Sequence, residues 1–257
     1  MEAATAIALR AGLAPSLVQW LDVTESTNAL LCAQAKDGAP HGTLLAAGAQ
    51  SAGRGTNGRS FFCPPDGGVY MSLLLRENLP PAGTLALTPR AALAVRRVLL
   101  RCGVELRIKW VNDLYRADRK ACGILTQGVG TPLGFCAVVG VGLNLYPACP
   151  PPPSLADIVG YCAERAEELP SRTSMLGEIA AALLCAVREK NNDALCDEYR
   201  AASCTIGGEV QYMQEGRACR ARAVDIDSTG ALCVDRPPFL LHASNRLIVP
   251  QGGETSI

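Results

Sequence analysis

Residues 50–59, Gln-Ser-Ala-Gly-Arg-Gly-Thr-Asn-Gly-Arg, set Gly53, Gly55 and Gly58 among Arg54 and Arg59, and neither a helix nor a strand survives such a stretch. A loop is therefore imposed there. It follows an apolar run, Thr43 to Ala49, that reads as a buried strand, and it precedes a second strong strand, Val69 to Leu75, entered through the turn Pro64-Pro65-Asp66-Gly67-Gly68. Glycine brings backbone N–H groups close to a ligand, and such groups form anion-binding concavities. Arg54 and Arg59 add planar forks that match carboxylate or phosphate. A plain surface turn is the competing reading. No Gly-Lys-Ser/Thr follows, so this is not a Walker loop, and the aromatic, proline-containing continuation excludes a Rossmann fingerprint.

The same pattern reading extends along the chain. Val18 to Val23 reads as a first strand, and Ser26-Thr27-Asn28 opens a helix that Ser26 or Thr27 can cap. Ala91 to Cys102 is helical with Gly103 as its stop, and Pro89 lies in its first turn or kinks a longer helix. Residues 104–109 alternate as a half-buried strand that delivers Lys109 and Trp110 to its end. Strands at about 120–127 and 135–142 follow, joined by a turn at Gly128 to Pro132, with Arg116 to Arg119 as a hairpin turn. Ser174 to Lys190 is an amphipathic helix. After Thr205 come short strands at 209–214, 219–227, 231–235 and 247–249, the signature of a small β-barrel or sandwich.

Charge and cysteine usage narrow the class. The 24 basic and 24 acidic side chains cancel, which argues against a dedicated nucleic-acid binder. Basic residues nonetheless gather in two stretches, at 54–59 and at 107–120, as a local cavity for a small anion would require. With 49% hydrophobic residues the chain supports a sizeable core. Its twelve cysteines are scattered without a Cys-x-x-Cys pair, and several, such as Cys122, Cys136 and Cys185, sit in apolar runs as small buried hydrophobes. The expectation is a reduced, cytoplasmic protein without a metal site, a secretory signal or a membrane span. A mitochondrial location and a homodimer are left open.

Five motifs in order carry a resemblance: Ser26-Thr27-Asn28, Gly53 to Phe61, Lys109-Trp110-Val111-Asn112-Asp113, Lys120 to Leu125, and Gly140-Val141-Gly142-Leu143-Asn144. Together they resemble the catalytic domain of biotin protein ligases, over about residues 20–146. The resemblance implies an α+β fold: a class II synthetase-like mixed sheet with flanking helices over residues 1–204, then an SH3-like β-barrel over 205–257. It implies that biotin is activated with ATP and Mg2+ as biotinoyl-AMP and passed to a lysine of a biotin carboxyl carrier domain. Nothing ahead of residue 18 is long enough for a winged helix, so no DNA contact is expected.

By that resemblance Lys120, Arg54 and Asp113 are catalytic. Lys120 reaches the carboxylate and α-phosphate, and Arg54 and Arg59 clamp the two anions. Biotin is expected on Ser26, Thr27, Gln50, Gly53, Arg54, Lys120, Gly123 and Gly140. The adenylate is expected on Gly55, Arg59, Phe61, Asn112, Gly142 and Asn144. The chemistry agrees, because joining a carboxylate to an amine requires two anions held at bonding distance by fixed charge and oriented donors. The ureido head instead needs compact donors and acceptors, which Ser26, Thr27 and Gln50 supply. Phe61 stands where the family has tryptophan and either stacks on adenine or packs in the core. Thr56 replaces a family arginine, Val111 a proline and Gln127 a frequent glutamate. The competing functions are a lipoate or octanoate ligase or transferase, and a non-catalytic binder of biotin or its adenylate.

Overall fold

The computed structural model describes residues 2–76, 81–189, 192–242 and 247–248. Its main sheet is mixed and seven-stranded: β1 (Val18–Thr24), β2 (Leu44–Gln50), β3 (Gly68–Leu75), β4 (Arg107–Lys109), β5 (Asp113–Arg116), β6 (Arg119–Thr131) and β7 (Gly134–Asn144), in the spatial order β1-β2-β3-β7-β6-β5-β4. β1 and β2 are parallel, and α2 (Thr27–Lys36) crosses between them. All other neighbours in the sheet are antiparallel.

The period-2 alternation of the strands gives the sheet two unlike faces. One face, carrying Leu44, Ala46, Met71, Leu73, Val139 and Val141, packs against α1 (Glu2–Ala11), α3 (Pro81–Arg101) and α4 (Arg172–Ala186) in the main core. On the other face Leu45, Leu74, Cys136, Val138 and Val129 meet Leu31 and Ala35 of α2. Fully burying a side chain such as Leu31 stabilises by about 1.5–3 kcal/mol. Further along this second face the side chains shrink: β7 continues Cys136, Val138, Gly140, Gly142, and β6 places Leu125 and Gly123 opposite the two glycines. Of α2 the first turn reaches that part, where Asn28 lies on Gly140, and the cleft opens beside it.

Several expectations shift. β6 and β7 run through the proposed turn at 128–132, and the hairpin closes at Thr131 and Gly134 instead. Gly128 stays in the strand because the Phe135 ring, reaching across from β7, lies where its Cβ would be, 2.4 Å from ring carbon Cζ. The strand expected over 104–109 is only Arg107–Lys109, and of the two places open to Pro89 it takes the one inside a longer helix, Pro81–Arg101. Gly103, at φ +77, does stop that helix, with Val104 N donating to Leu99 O. Helix α4 is capped by Ser171 and ends at Ala186, short of Lys190, which lies outside the described residues. Cys122 and Cys136 are buried, but Cys185 is exposed, because Leu183 and Ala186 hold the inward face of α4. All twelve cysteines are free. Helices α1 and α5 (Asn192–Ala202) and strand β5 were not foreseen.

The C-terminal strands form a five-stranded antiparallel sheet: β8 (Glu209–Gln214), β9 (Arg217–Ile226), β10 (Leu232–Val234), β11 (Leu240–Leu241) and β12 (Leu247–Ile248), ordered β11-β10-β9-β8-β12. Val249, expected in the last strand, lies outside the described residues. Trp110 joins this sheet to the main one. Its backbone N–H donates to Thr205 Oγ1 at 2.8 Å and its indole N–H to Gly230 O at 3.0 Å. Among the described residues no helix is long and apolar enough to cross a membrane.

Candidate active site

The uncovered part of the second face is an open cleft. Its floor is Gly140, Gly142 and Gly123, and a side chain lies close over each of them. A Cβ at Gly140 would sit 2.7 Å from Asn28 Nδ2, one at Gly142 2.6 Å from Phe61 Cε1, and one at Gly123 3.0 Å from Lys120 Cε and Nζ. Contacts under 3.0 Å force a shift, so at Gly140 and Gly142 a side chain is opposed by packing rather than by backbone conformation, whereas at Gly123 the flexible end of Lys120 could give way.

At one end the N-terminus of α2 meets the end of β2. Ser26 caps the helix by accepting from Ala29 N at 3.4 Å. Thr27 N–H, one of the helix's orphan donors, donates to Gln50 Oε1 at 2.7 Å, and Thr27 Oγ1 reaches the same oxygen at 3.1 Å. Gln50 Nε2 lies 3.1 Å from Cys63 Sγ. Burial pushes the Cys63 thiol up to about 12 against the opposing effect of the Gln50 hydrogen bond, so it stays protonated at ordinary pH. Ser26 and Thr27 are only 3% and 2% exposed. This end is buried, neutral and hydrogen-bonded.

The other end is charged. Lys120 leaves β6, lies over Gly123 and reaches Asp113 Oδ1 on β5 at 2.8 Å. The contact is an ion pair without the alignment of a hydrogen bond, which leaves both groups capacity for a ligand. The Phe61 ring rests on Gly142 and lies 5.7 Å from Lys120 Nζ. Asn112 Nδ2 donates to Ile124 O at 2.7 Å, which fixes its amide at the rim.

Above this end runs the glycine/arginine loop. It folds back on itself, with Gly55 N donating to Arg59 O at 2.7 Å and Phe61 N to Gly53 O at 2.9 Å. Arg54 and Thr56 line the cleft yet are exposed.

Of the expected residues, the cleft lining gathers Ser26, Thr27, Gln50, Arg54, Gly55, Phe61, Asn112, Lys120, Gly123, Gly140 and Gly142. Four do not line it. Asp113 stands behind Lys120. Gly53 is buried beneath the loop, where a Cβ would meet Cys63 Sγ at 2.7 Å. Arg59 points to solvent, because the turn at Thr56–Gly58 carries it away from the floor. Asn144 is buried at the end of β7, its Oδ1 without a hydrogen-bond partner. The lining also includes Asn28, Ser72 and Leu125, which were not singled out as ligand-binding. Ser72 carried a readable signal as the one hydroxyl inside the apolar strand Val69–Leu75 besides the Tyr70 phenol. Among the described residues no cluster of three His, Cys, Asp or Glu is placed to hold a metal.

The arrangement can hold a neutral polar group at one end and bring two anions together at the other. A model of the biotin/lipoate A/B protein ligase family matches residues 20–144. The chain is 34% identical over 224 residues to the biotin–[acetyl-CoA-carboxylase] ligase of Mycobacterium tuberculosis, spanning 82% of this chain and 80% of that one. It is 35% identical over 167 residues to the bifunctional ligase/repressor BirA of Bacillus subtilis, 64% of this chain but 50% of that one. It thus matches about half the length of such bifunctional relatives. The biotin protein ligase from Aquifex aeolicus in complex with biotin and ATP superposes with a TM-score of 0.73 at 22% identity, covering 90% of this chain and 98% of that one. That likeness establishes the fold of the main sheet and its helices.

Proposed function

The chain belongs to the biotin/lipoate A/B protein ligase family, and from that premise we propose that it is an ATP-dependent biotin–protein ligase. It joins biotin to ATP as biotinoyl-AMP, releases pyrophosphate, and passes biotin to a lysine amine of a biotin carboxyl carrier domain. The observation that carries the reading is the pairing, across one glycine floor, of a neutral hydrogen-bonding end with the Lys120 and Arg54 end. The M. tuberculosis relative is named as a biotin–[acetyl-CoA-carboxylase] ligase, and the A. aeolicus structure holds biotin and ATP. Both support the same substrates here.

In this reading the ureido head lies against Ser26, Thr27 and Gln50, and the valeryl chain crosses Gly140, Gly142 and Gly123. The carboxylate then arrives at Lys120. Lys120 and Arg54 neutralise the carboxylate and the α-phosphate, so the carboxylate oxygen attacks phosphorus and pyrophosphate leaves. Asp113 holds Lys120 over the floor. Once the adenylate has formed, Lys120 faces the charge that builds up as the carrier amine attacks the acyl carbon and AMP departs. Magnesium would enter on the phosphates of ATP, with Asp113 as the carboxylate in reach, which suits a cation that keeps most of its ligands from substrate and water. The unpartnered Oδ1 of Asn144 is assigned to the adenine amino group, and Arg59 to the phosphates after the loop closes.

We assign residues 1–204 to the catalytic unit and 205–257 to a smaller module, and read its five-stranded sheet as an SH3-like barrel. The reaction is placed in the cytoplasm. Incubation with labelled biotin, ATP, magnesium and an isolated carrier domain tests the reading. Label on the carrier lysine is expected, and its absence with a folded protein and a competent acceptor would overturn it.

A further inference from the structure

The backbone of Lys120 has a neighbour on each side of β6. On one side it pairs with Tyr115 of β5. On the other side β7 no longer reaches it, because the pairing of β6 with β7 begins at Cys122 and Leu143. A later segment takes that place: residues 158–160 return after the proline-rich loop 147–153, and Val159 forms a parallel bridge with Lys120. Lys120 N donates to Ile158 O at 2.8 Å, and Gly160 N donates to Lys120 O at 2.8 Å. The segment then follows the end of β7, with Cys162 N donating to Asn144 O at 3.0 Å and Ala163 N to Leu145 O at 2.9 Å. Val159, Cys162 and Ala163 are buried, so packing holds this strap as well. The strap reaches β6 because residue 160 has no side chain. A Cβ there would lie 2.7 Å from Arg119 O and 2.8 Å from Arg119 C, both backbone atoms. Gly160 does not have a positive φ, so the close approach of two backbones, not a turn, requires the glycine.

We propose that Gly160 is a positioning residue for the reaction, acting through Lys120. It lets the strap fix the β6 backbone from which the Lys120 side chain springs. The Lys120 amine lies over Gly123 and 2.8 Å from Asp113 Oδ1. These contacts steer the end of a flexible four-carbon stem, and its aim depends on where the backbone stands. Carbon atoms at ordinary contact are about 3.5–4.0 Å apart, so a methyl at 160 has to displace a backbone. Either the strap withdraws and loses its two bonds to Lys120, or Arg119 shifts and carries Lys120 with it. A misplacement of about 1 Å can cost about a hundredfold in rate. The inference rests on the role given to Lys120 in the biotin ligase reading, and adds the backbone contact by which that role is kept.

A double-mutant cycle tests it. ATP–pyrophosphate exchange at saturating biotin and ATP is measured for the wild type, Gly160→Ala, Lys120→Ala and the double variant. Gly160→Ala should lower the turnover by about ten- to a hundredfold. In the Lys120→Ala background the same change should cost nothing further, because the group it misplaces is gone. An equal loss in both backgrounds would overturn the proposal by showing a merely structural strap. Unchanged turnover in Gly160→Ala would overturn it by showing that the strap does not hold Lys120. If Gly160→Ala does not fold, Ile158→Pro loosens the same strap from an exposed position, by removing the N–H that donates to Leu155 O at 3.0 Å, and the cycle is read in the same way. Wild-type exchange in Lys120→Ala would instead strike the ligase mechanism itself.

Discussion

The two ends of the cleft are built differently. At the head end Ser26, Thr27, Gln50 and Ser72 are tied to one another and to helix α2, and most are buried. At the other end Arg54, Thr56 and Arg59 are exposed, on a stretch, 53–61, that folds back on itself through Gly55 N to Arg59 O and Phe61 N to Gly53 O. The contrast follows from what each end must hold. A neutral head gains little from attraction at a distance, so its site depends on fixed donors and acceptors. Anions are attracted from afar, and burying their partners beforehand would cost desolvation. In the proposed reading the fixed end sets what binds and the open end sets how long it stays.

That contrast can be broken most sharply at Lys120, the charged group seated on the floor. Lys120→Ala should lower biotin-dependent ATP–pyrophosphate exchange by about 100- to 1,000-fold, the usual effect of removing a transition-state contact. A thermal melt close to that of the wild type should show that the fold persists. Exchange near the wild-type rate would remove Lys120 from the mechanism.

The open end is next. Thr56 lines the cleft without a charge, and in the proposed reading closure over the adenylate therefore lacks one contact. Thr56→Arg should slow dissociation of preformed labelled adenylate by about ten- to a hundredfold, the range of a charge-assisted hydrogen bond. The readout is a chase with unlabelled ligand. An unchanged off-rate would mean that closure comes from elsewhere, with Arg59 the first candidate.

The floor couples the two ends. Gly142→Ala would bring a methyl within 2.6 Å of Phe61 Cε1, and displacing the ring should weaken biotin about five- to a hundredfold, given an overpacking cost of about 1–3 kcal/mol. Equal affinity in a titration would show that the ring moves freely.

The smallest effect concerns protons at the fixed end. Cys63 is raised from 9.0 to about 12 by burial, so the folded state keeps a proton that the unfolded chain loses. Its contribution to stability is complete below pH 9 and declines as pH rises from 9 toward 12. The melting temperature of Cys63→Ala should fall less steeply over that window. Identical slopes would mean that Cys63 does not hold its proton in the fold.

The strands, the α2 cap and the cleft residues near them were legible because each has a local signal: alternation, a Ser-Thr-Asn start, glycines beside arginines. Helix α5 had one too, since Leu195, Tyr199 and Ala202 are buried at helical spacing, but its charged exposed face hid it. β5 is four residues long and sits between tight turns to its neighbours β4 and β6, too short a stretch for a periodicity to show. Trp110 belongs to a motif that reads as catalytic, yet it joins the two sheets, a tertiary role that spacing does not encode. The turn at 128–132 failed because the Phe135 ring supports Gly128 from the neighbouring strand.

The most direct test of the whole account is ATP–pyrophosphate exchange with the wild-type protein, magnesium, and biotin, lipoate or octanoate as the carboxylate. Biotin should support rapid exchange, and the other two should support little, because the phosphate end accepts any carboxylate while the head end accepts a urea. Exchange with lipoate or octanoate equal to or faster than with biotin would contradict the account, since the fixed end would then not be selecting the substrate.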